Sequence, residues 1–288
     1  MATPAFRQGS SFNSVVQGNT ATLEMPTGMY MYNRFFISYQ KAGVNATSAE
    51  VFADILQVRV LVDGEAVHKY TPEQIRTVDN WHNRRNYDHH VVCSFTRPEL
   101  RSFDASRILG LGTGNVKNLT VEVDLAPDVL NVAPTLKLYA NLEQSAAPMG
   151  EFVSIKSHNV IIKTSGSNFE YDDLPVTGSN KRLLGFHMLG AFQPADKVRV
   201  FFDDKKIVDL ETNEAYQAYI ADLQADTIQT GGRNSQGLET YRHIEFYRNA
   251  LSQAPIMDMG VFRLEIETAI AAGVAVPTIT EVVHNLKV

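Results

Sequence analysis

Val58-Arg59-Val60-Leu61-Val62-Asp63-Gly64 alternates apolar and polar side chains with a period of two and then stops at Asp-Gly, the signature of a half-buried strand running into a tight hairpin turn. The same design returns 140 positions later as Val198-Arg199-Val200-Phe201-Phe202-Asp203-Asp204. Each block leads into a helical segment. In the first, Thr71 caps, Pro72 takes the first helical position and Gln74 completes a capping box, with Ile75, Val78 and Trp81 or His82 on one apolar face. In the second, Thr212 or Asn213 caps a run that places Tyr216, Tyr219, Ile220 and Leu223 at helical spacing.

The repeat extends outward from these blocks. Val132-Ala133-Pro134-Thr135 through Asn141-Leu142 corresponds to Ala275-Val276-Pro277-Thr278 through Asn285-Leu286, with the prolines 143 positions apart. Met25-Pro26-Thr27-Gly28 pairs more loosely with Leu174-Pro175-Val176-Thr177-Gly178. Three blocks in the same order at nearly the same offset indicate a tandem duplication. Further strands are expected at Phe35 to Tyr39, Val91 to Thr96, Leu119 to Leu125, Leu136 to Asn141, Val153 to Lys163, Leu183 to Leu189, Tyr241 to Tyr247, Phe262 to Glu267 and Ile279 to Asn285. Linker composition at Ser145-Ala146-Ala147-Pro148 puts the boundary near Glu143 to Gly150. The expected fold is all-β: two tandem eight-stranded jelly rolls, residues 1–145 and 146–288, each with one short inserted helix.

Composition agrees with this and removes several functions. The 288 residues are 44% hydrophobic and 20% charged, which suits a packed chain rather than a disordered one. The longest apolar run, Ala269 to Val276, is far below the ~20 residues that cross a bilayer. Met1 to Ser10 has no apolar segment of the signal-peptide kind. Lys plus Arg is 26 against 32 Asp plus Glu, a net charge of −6, which opposes direct neutralisation of nucleic-acid phosphates. Cys93 stands alone, so no intrachain disulfide or multi-cysteine metal site can form.

Residues with chemical potential have plainer readings beside them. Gly110-Leu111-Gly112-Thr113-Gly114 resembles a phosphate loop but precedes a strand, whereas phosphate needs a helix N-terminus. His82, His89 and His90 carry imidazoles, yet adjacent histidines on a strand face opposite sides, which favours a surface or interface role over a metal site. Asp63, Asp172-Asp173 and Asp203-Asp204 could act as paired acids or calcium ligands, but aspartate also belongs in tight turns. Cys93 lies in an apolar strand, as a buried small residue does. The basic doublets Arg84-Arg85 and Lys181-Arg182 read as solvated faces or interface ion pairs, and Gly231 to Gly237 as an exposed loop. No catalytic residue and no cofactor-binding residue is assigned, and metal ligands stay unassigned.

Several of these segments together resemble a known family: Val58 to Gly64 with Tyr70 downstream, Ser94-Phe95-Thr96-Arg97-Pro98-Glu99-Leu100, Leu111-Gly112-Thr113 leading into Val121 to Asp124, Asp173-Leu174-Pro175, and the strand, turn and helix from Val198 to Leu223. The chain is similar to the double jelly-roll major capsid proteins of tailless, membrane-containing icosahedral phages, the corticovirus type, over roughly residues 20 to 285. It departs from them in inserts at Gly43 to Glu50 and Gly231 to Gly237. The resemblance implies a structural virion protein made in the host cytoplasm, not an enzyme. It further implies pseudo-hexagonal homotrimers that tile an icosahedral shell over an internal lipid membrane, facing the bilayer without spanning it. Expected partners are neighbouring trimers, a vertex penton protein and minor membrane-associated virion proteins. No cofactor is required, and structural calcium is an option carried by the family. Two other readings stand beside it: a two-domain jelly-roll glycan-binding module, which needs clustered exposed aromatics although the sole Trp81 falls on a helix, and a carbohydrate-active enzyme using Asp172, Asp203 or Asp204.

Overall fold

The computed structural model describes residues 4–82, 84, 87–97, 109–127, 133–172, 181–193, 195–212, 214–219, 241–246 and 261–284. The chain divides into two compact units, Met1–Lys156 with Leu286–Val288, and Ser157–Asn285.

In the first unit, one sheet has the order β1 (Pro4–Gln8), β10 (Pro134–Gln144), β3 (Tyr30–Lys41), with β7 (His90–Ser94) on the far edge of β3. Short strands β4 (Val44–Asn45) and β8 (Leu111–Gly112) also pair with β3. The opposing sheet runs β2 (Thr20–Met25), β9 (Leu119–Leu125), β5 (Ile55–Val62), β6 (Glu65–Tyr70). In the second unit, into which β11 (Phe152–Ile161) runs from the first, the corresponding orders are β11, β18 (Ala275–His284), β13 (Lys181–Met188), β16 (Arg242–Glu245), and β12 (Asn168–Tyr171), β17 (Phe262–Glu267), β14 (Lys197–Phe202), β15 (Lys205–Leu210). With the short β4 and β8 set aside, each unit is thus an eight-stranded jelly roll in which the same strand, counted from its start, holds the same place.

The duplication is visible pair by pair. Val58 faces Tyr70 and Val60 faces His68, while 140 residues on Val198 faces Leu210 and Val200 faces Val208. Both hairpins carry a bulge at the same position, between Val60 and Leu61 and between Val200 and Phe201. Val58 and Val60 pair with Val123 and Val121 on their other side; Val198 and Val200 pair with Ile266 and Leu264, a step of 143. Inward residues such as Val58, Val60, Val121, Val198, Val200 and Leu264 are fully buried, each contributing about 1.5–3 kcal/mol of transfer free energy. On the outward face Arg59 pairs with Glu122 at 2.8 Å, and its counterpart Arg199 with Glu265 at 3.4 Å. Half-exposed pairs of this kind are worth roughly 0.2–1 kcal/mol and mainly fix register.

The turn closing each hairpin explains why aspartate sits there. Asp63 (φ 49°) with Gly64 (φ 87°), and Asp203 (φ 49°) with Asp204 (φ 61°), form two-residue loops with both central residues in the left-handed region, where Gly, Asn and Asp are tolerated best. Asp63 Oδ1 accepts from the Lys117 and Asn118 amides at 2.9 and 2.8 Å, just ahead of β9. Asp203 Oδ1 accepts from the Val261 amide at 3.0 Å, just ahead of β17.

Between β6 and β7 lies α2 (Pro72–Trp81), capped by Thr71 and Gln74 as expected, with Ile75, Val78 and Trp81 buried. Its counterpart between β15 and β16 is helical over 214–219; the Thr212 hydroxyl caps it by accepting from the Ala215 amide at 3.0 Å. Asn213, Ile220 and Leu223 lie outside the described residues, as do Gly231 to Gly237, Asp173 to Gly178 and Pro98 to Leu100.

Two expectations need correction. The first unit holds a second helix, α1 (Ser48–Asp54), started by a Thr47/Glu50 capping box inside what reads from sequence as an insert. The unit boundary falls at Lys156/Ser157 rather than at 145/146, because the chain stays on the first sandwich after the linker: the Val153 amide donates to Phe95 O, and Ile155 and Lys156 pair in parallel with His68 and Lys69.

Replacing Asp63 with Ala removes two hydrogen bonds and forces a β-carbon residue without a side-chain acceptor into positive φ. Chemical denaturation should show a loss of about 1–3 kcal/mol, largely restored in Asp63→Asn. An unchanged midpoint for Asp63→Ala would show that the turn does not lock the sheet.

Candidate functional site

The glycine-rich stretch is a crossing point of backbones. Gly114 donates to Ala147 O at 2.8 Å, Thr113 N to Tyr30 O at 3.1 Å, and Met149 N to Asn115 Oδ1 at 2.6 Å. A β-carbon on Gly112 would collide with Pro148 O and come within 2.8 Å of Ala147 O; one on Gly114 would collide with Ala146 O. The glycines therefore let the linker lie directly on the strand, which accounts for them without phosphate.

The aspartates are also committed elsewhere. Asp63 and Asp203 close turns, Asp204 is almost fully exposed with Arg263 Nη2 at 3.9 Å, and Asp173 is outside the described residues. Calcium needs six to eight oxygens converging on one point, and among the described residues none of these aspartates joins a cluster of three ligand groups.

Cys93 is buried, and burial pushes its thiol up to about 12, the opposite of an activated nucleophile. Arg84 is not solvated as its doublet suggests: it forms a buried ion pair with Asp79 of α2 at 3.3 Å, and its amide donates to Asp79 O. Arg85 lies outside the described residues, and Lys181 and Arg182 begin β13 half-buried. Sequence reasoning missed Arg242, buried in the second unit with its guanidinium 4.7 Å from the Tyr216 ring and 5.3 Å from Phe192, donating to Gln193 O at 2.7 Å. No local pattern marks it, because its partners come from distant segments.

The histidines are arranged differently from expectation. His89 lies in a turn rather than on β7, so its ring packs on that of His90, 4.3 Å between centroids. His82 ends α2 and is buried. Arg76 donates to the carbonyls of Tyr87, Asp88 and His90 and pins the turn. Burial, then His89 and Arg76, lower His90 to about 4. An aromatic strip continues across the outer face of the sheet: Tyr87 meets His90 at 5.6 Å, His90 meets Phe36 at 6.2 Å, Phe36 meets Phe6 at 5.7 Å, and Phe6 stacks on Tyr139 at 5.9 Å. Tyr87 and Phe6 are 72% and 61% exposed.

With no catalytic constellation among the described residues, the organising features are the duplicated sandwich and its outer surface. Residues 6–144 match the model of the viral coat protein P2 N-terminal domain. That segment, just under half of the chain, is similar to this coat-protein domain. Over its whole length the chain resembles solved capsid proteins. The major capsid protein P2 from bacteriophage PM2 is 19% identical, with a TM-score of 0.80 over 99% of this chain and 98% of that one. The STIV MCP is 8% identical with a TM-score of 0.64 over 98% and 97%, and the Faustovirus major capsid protein 7% identical with 0.54 over 99% and 90%. No curated protein matches the sequence. The fold of the chain is thus the double jelly roll of viral major capsid proteins.

Two outcomes test this description. Gly114→Ala should destabilise the first unit by about 1–3 kcal/mol through the overlap with the linker, measured by thermal melting; an unchanged melting temperature would refute the crossing. In an NMR titration His90 should change protonation near pH 4. Because its folded value lies below the ~6.5 of an exposed histidine, the unfolded chain takes up the proton first, and stability is lost as pH falls from about 6.5 towards 4. A midpoint near 6.5 would contradict the burial of that ring.

Proposed function

We propose that the chain is the major capsid protein of an icosahedral virus and assembles as a homotrimer whose six similar lobes make a pseudo-hexagonal building block. The observation that carries this reading is the strand-for-strand repeat, down to the shared bulge after Val60 and Val200. Three copies of a duplicated sandwich give six near-equivalent lobes, which tile a flat facet with only three-fold true symmetry.

In this reading the shell lies over an internal lipid membrane, and the genome is held inside that membrane rather than by the coat. The charge balance supports it: the net charge is −6, whereas a coat that packs nucleic acid directly needs an excess of Lys and Arg to neutralise phosphate. Among the described residues no helix is long and apolar enough to cross a bilayer, in keeping with a chain that faces the membrane. A penton protein at the vertices and minor membrane-associated proteins complete the proposed particle.

A second reading, glycan binding, has one observation in its favour: the exposed aromatic strip from Tyr87 to Tyr139 is the kind of surface on which sugar rings stack. A glycan array with no hits removes it.

Native mass spectrometry of the purified protein is expected to give three times the 32.0 kDa chain mass. A stable monomer at micromolar concentration would overturn the proposal.

A further inference from the structure

The two units differ at one edge. Within the first, the side of β6 turned away from β5 is covered: Ile155 and Lys156, at the start of β11, pair in parallel with His68 and Lys69, and Lys156 Nζ sits 3.5 Å from Glu65. Val67 is 4% exposed and His68 fully buried there. The counterpart in the second unit, β15, pairs only with β14 among the described residues. Ile207, the counterpart of Val67, is 44% exposed. A bare strand edge invites another strand, and proteins seldom leave one uncovered without a device against it.

The repeat also says what kind of strand belongs on β15. The strand that covers β6 is β11, which borders β18 as β1 borders β10. The counterpart of β11 is therefore β1, and β1 pairs only with β10 among the described residues, with Phe6 61% exposed. Among the described residues one chain thus carries two bare edges, each the counterpart of a strand that is paired to the other's counterpart.

We infer that β15 of one copy takes β1 of a second copy as an added parallel strand, repeating between chains the pairing that β6 makes with β11 inside one. The inference rests on the trimer reading and specifies its contact. Giving one edge and receiving at a different one makes the interface heterologous, and such a contact closes into a ring when the rotation allows. Main-chain hydrogen bonds would supply adhesion in this contact, as in other cases of strand addition. Phe6 and Ile207 would lose their exposure.

The test is cross-linking in the full-length protein. Phe6→Cys, Arg7→Cys and Gln8→Cys are each combined with Ile207→Cys and bridged by oxidation or a short bis-maleimide; adjacent strands lie about 4.8 Å apart, within reach of both. Cys93 is buried and stays silent. Covalent dimers and trimers are expected from at least one double variant and from none of the single ones. Hydrogen exchange at Lys205–Leu210 should also be at least about tenfold slower in the trimer than in an Arg7→Pro or Ile207→Pro variant that has lost the contact. A particle that is trimeric by mass yet yields no bridge from any pair, with β15 amides exchanging as in those variants, overturns the pairing and leaves the trimer standing. A monomer by mass brings down the trimer reading and the pairing with it.

Discussion

Asp63 and Asp203 hold together three strands at the end of each outer sheet. Each closes a hairpin in a backbone conformation that few residues tolerate, and each side chain reaches across to the amide of the segment entering the third strand. That carboxylate therefore sets hairpin register and sheet order at once. A one-residue slip would turn Val58, Val60 and Val62 outward and bring Arg59 and Leu61 into the core, at a cost of several buried side chains. The bulge two residues before the end of each strand recurs because turn and register recur with it.

Once one hairpin is locked, much of the remainder of a jelly roll follows from alternation. This is why the core of β5, β9, β14 and β17 was legible in sequence: valine, leucine and isoleucine alternate with charged residues along strands that have one wet face. The helix at Pro72–Trp81 was legible through its capping box. Strands β6 and β15 were not, since Glu65–Tyr70 and Lys205–Leu210 have no clean alternation and are defined by the partner across the turn. The α1 capping box at Thr47 and Glu50 was present in the sequence but masked by the reading of that stretch as an insert.

The surface was less legible than the core. The contact between His89 and His90, the burial of Arg84 against Asp79 and the cage around Arg242 all depend on which distant strands become neighbours. A linear pattern treats adjacent histidines as diverging and a basic doublet as solvated; a turn at His89 and a carboxylate on α2 reverse both. The linker shows the same effect on domain limits. Its composition ends at Gly150, yet backbone pairing to β6 keeps the chain on the first sandwich through Lys156. That short extension also creates the asymmetry between β6 and β15 on which the proposed pairing between copies rests.

Electron cryo-microscopy of the purified protein addresses the central claim, that one sandwich plan written twice exists to make a tile. Class averages are predicted to show a hexagonal outline with six lobes and true three-fold symmetry. Two-lobed single molecules, or rings with any other number of lobes, would contradict the account.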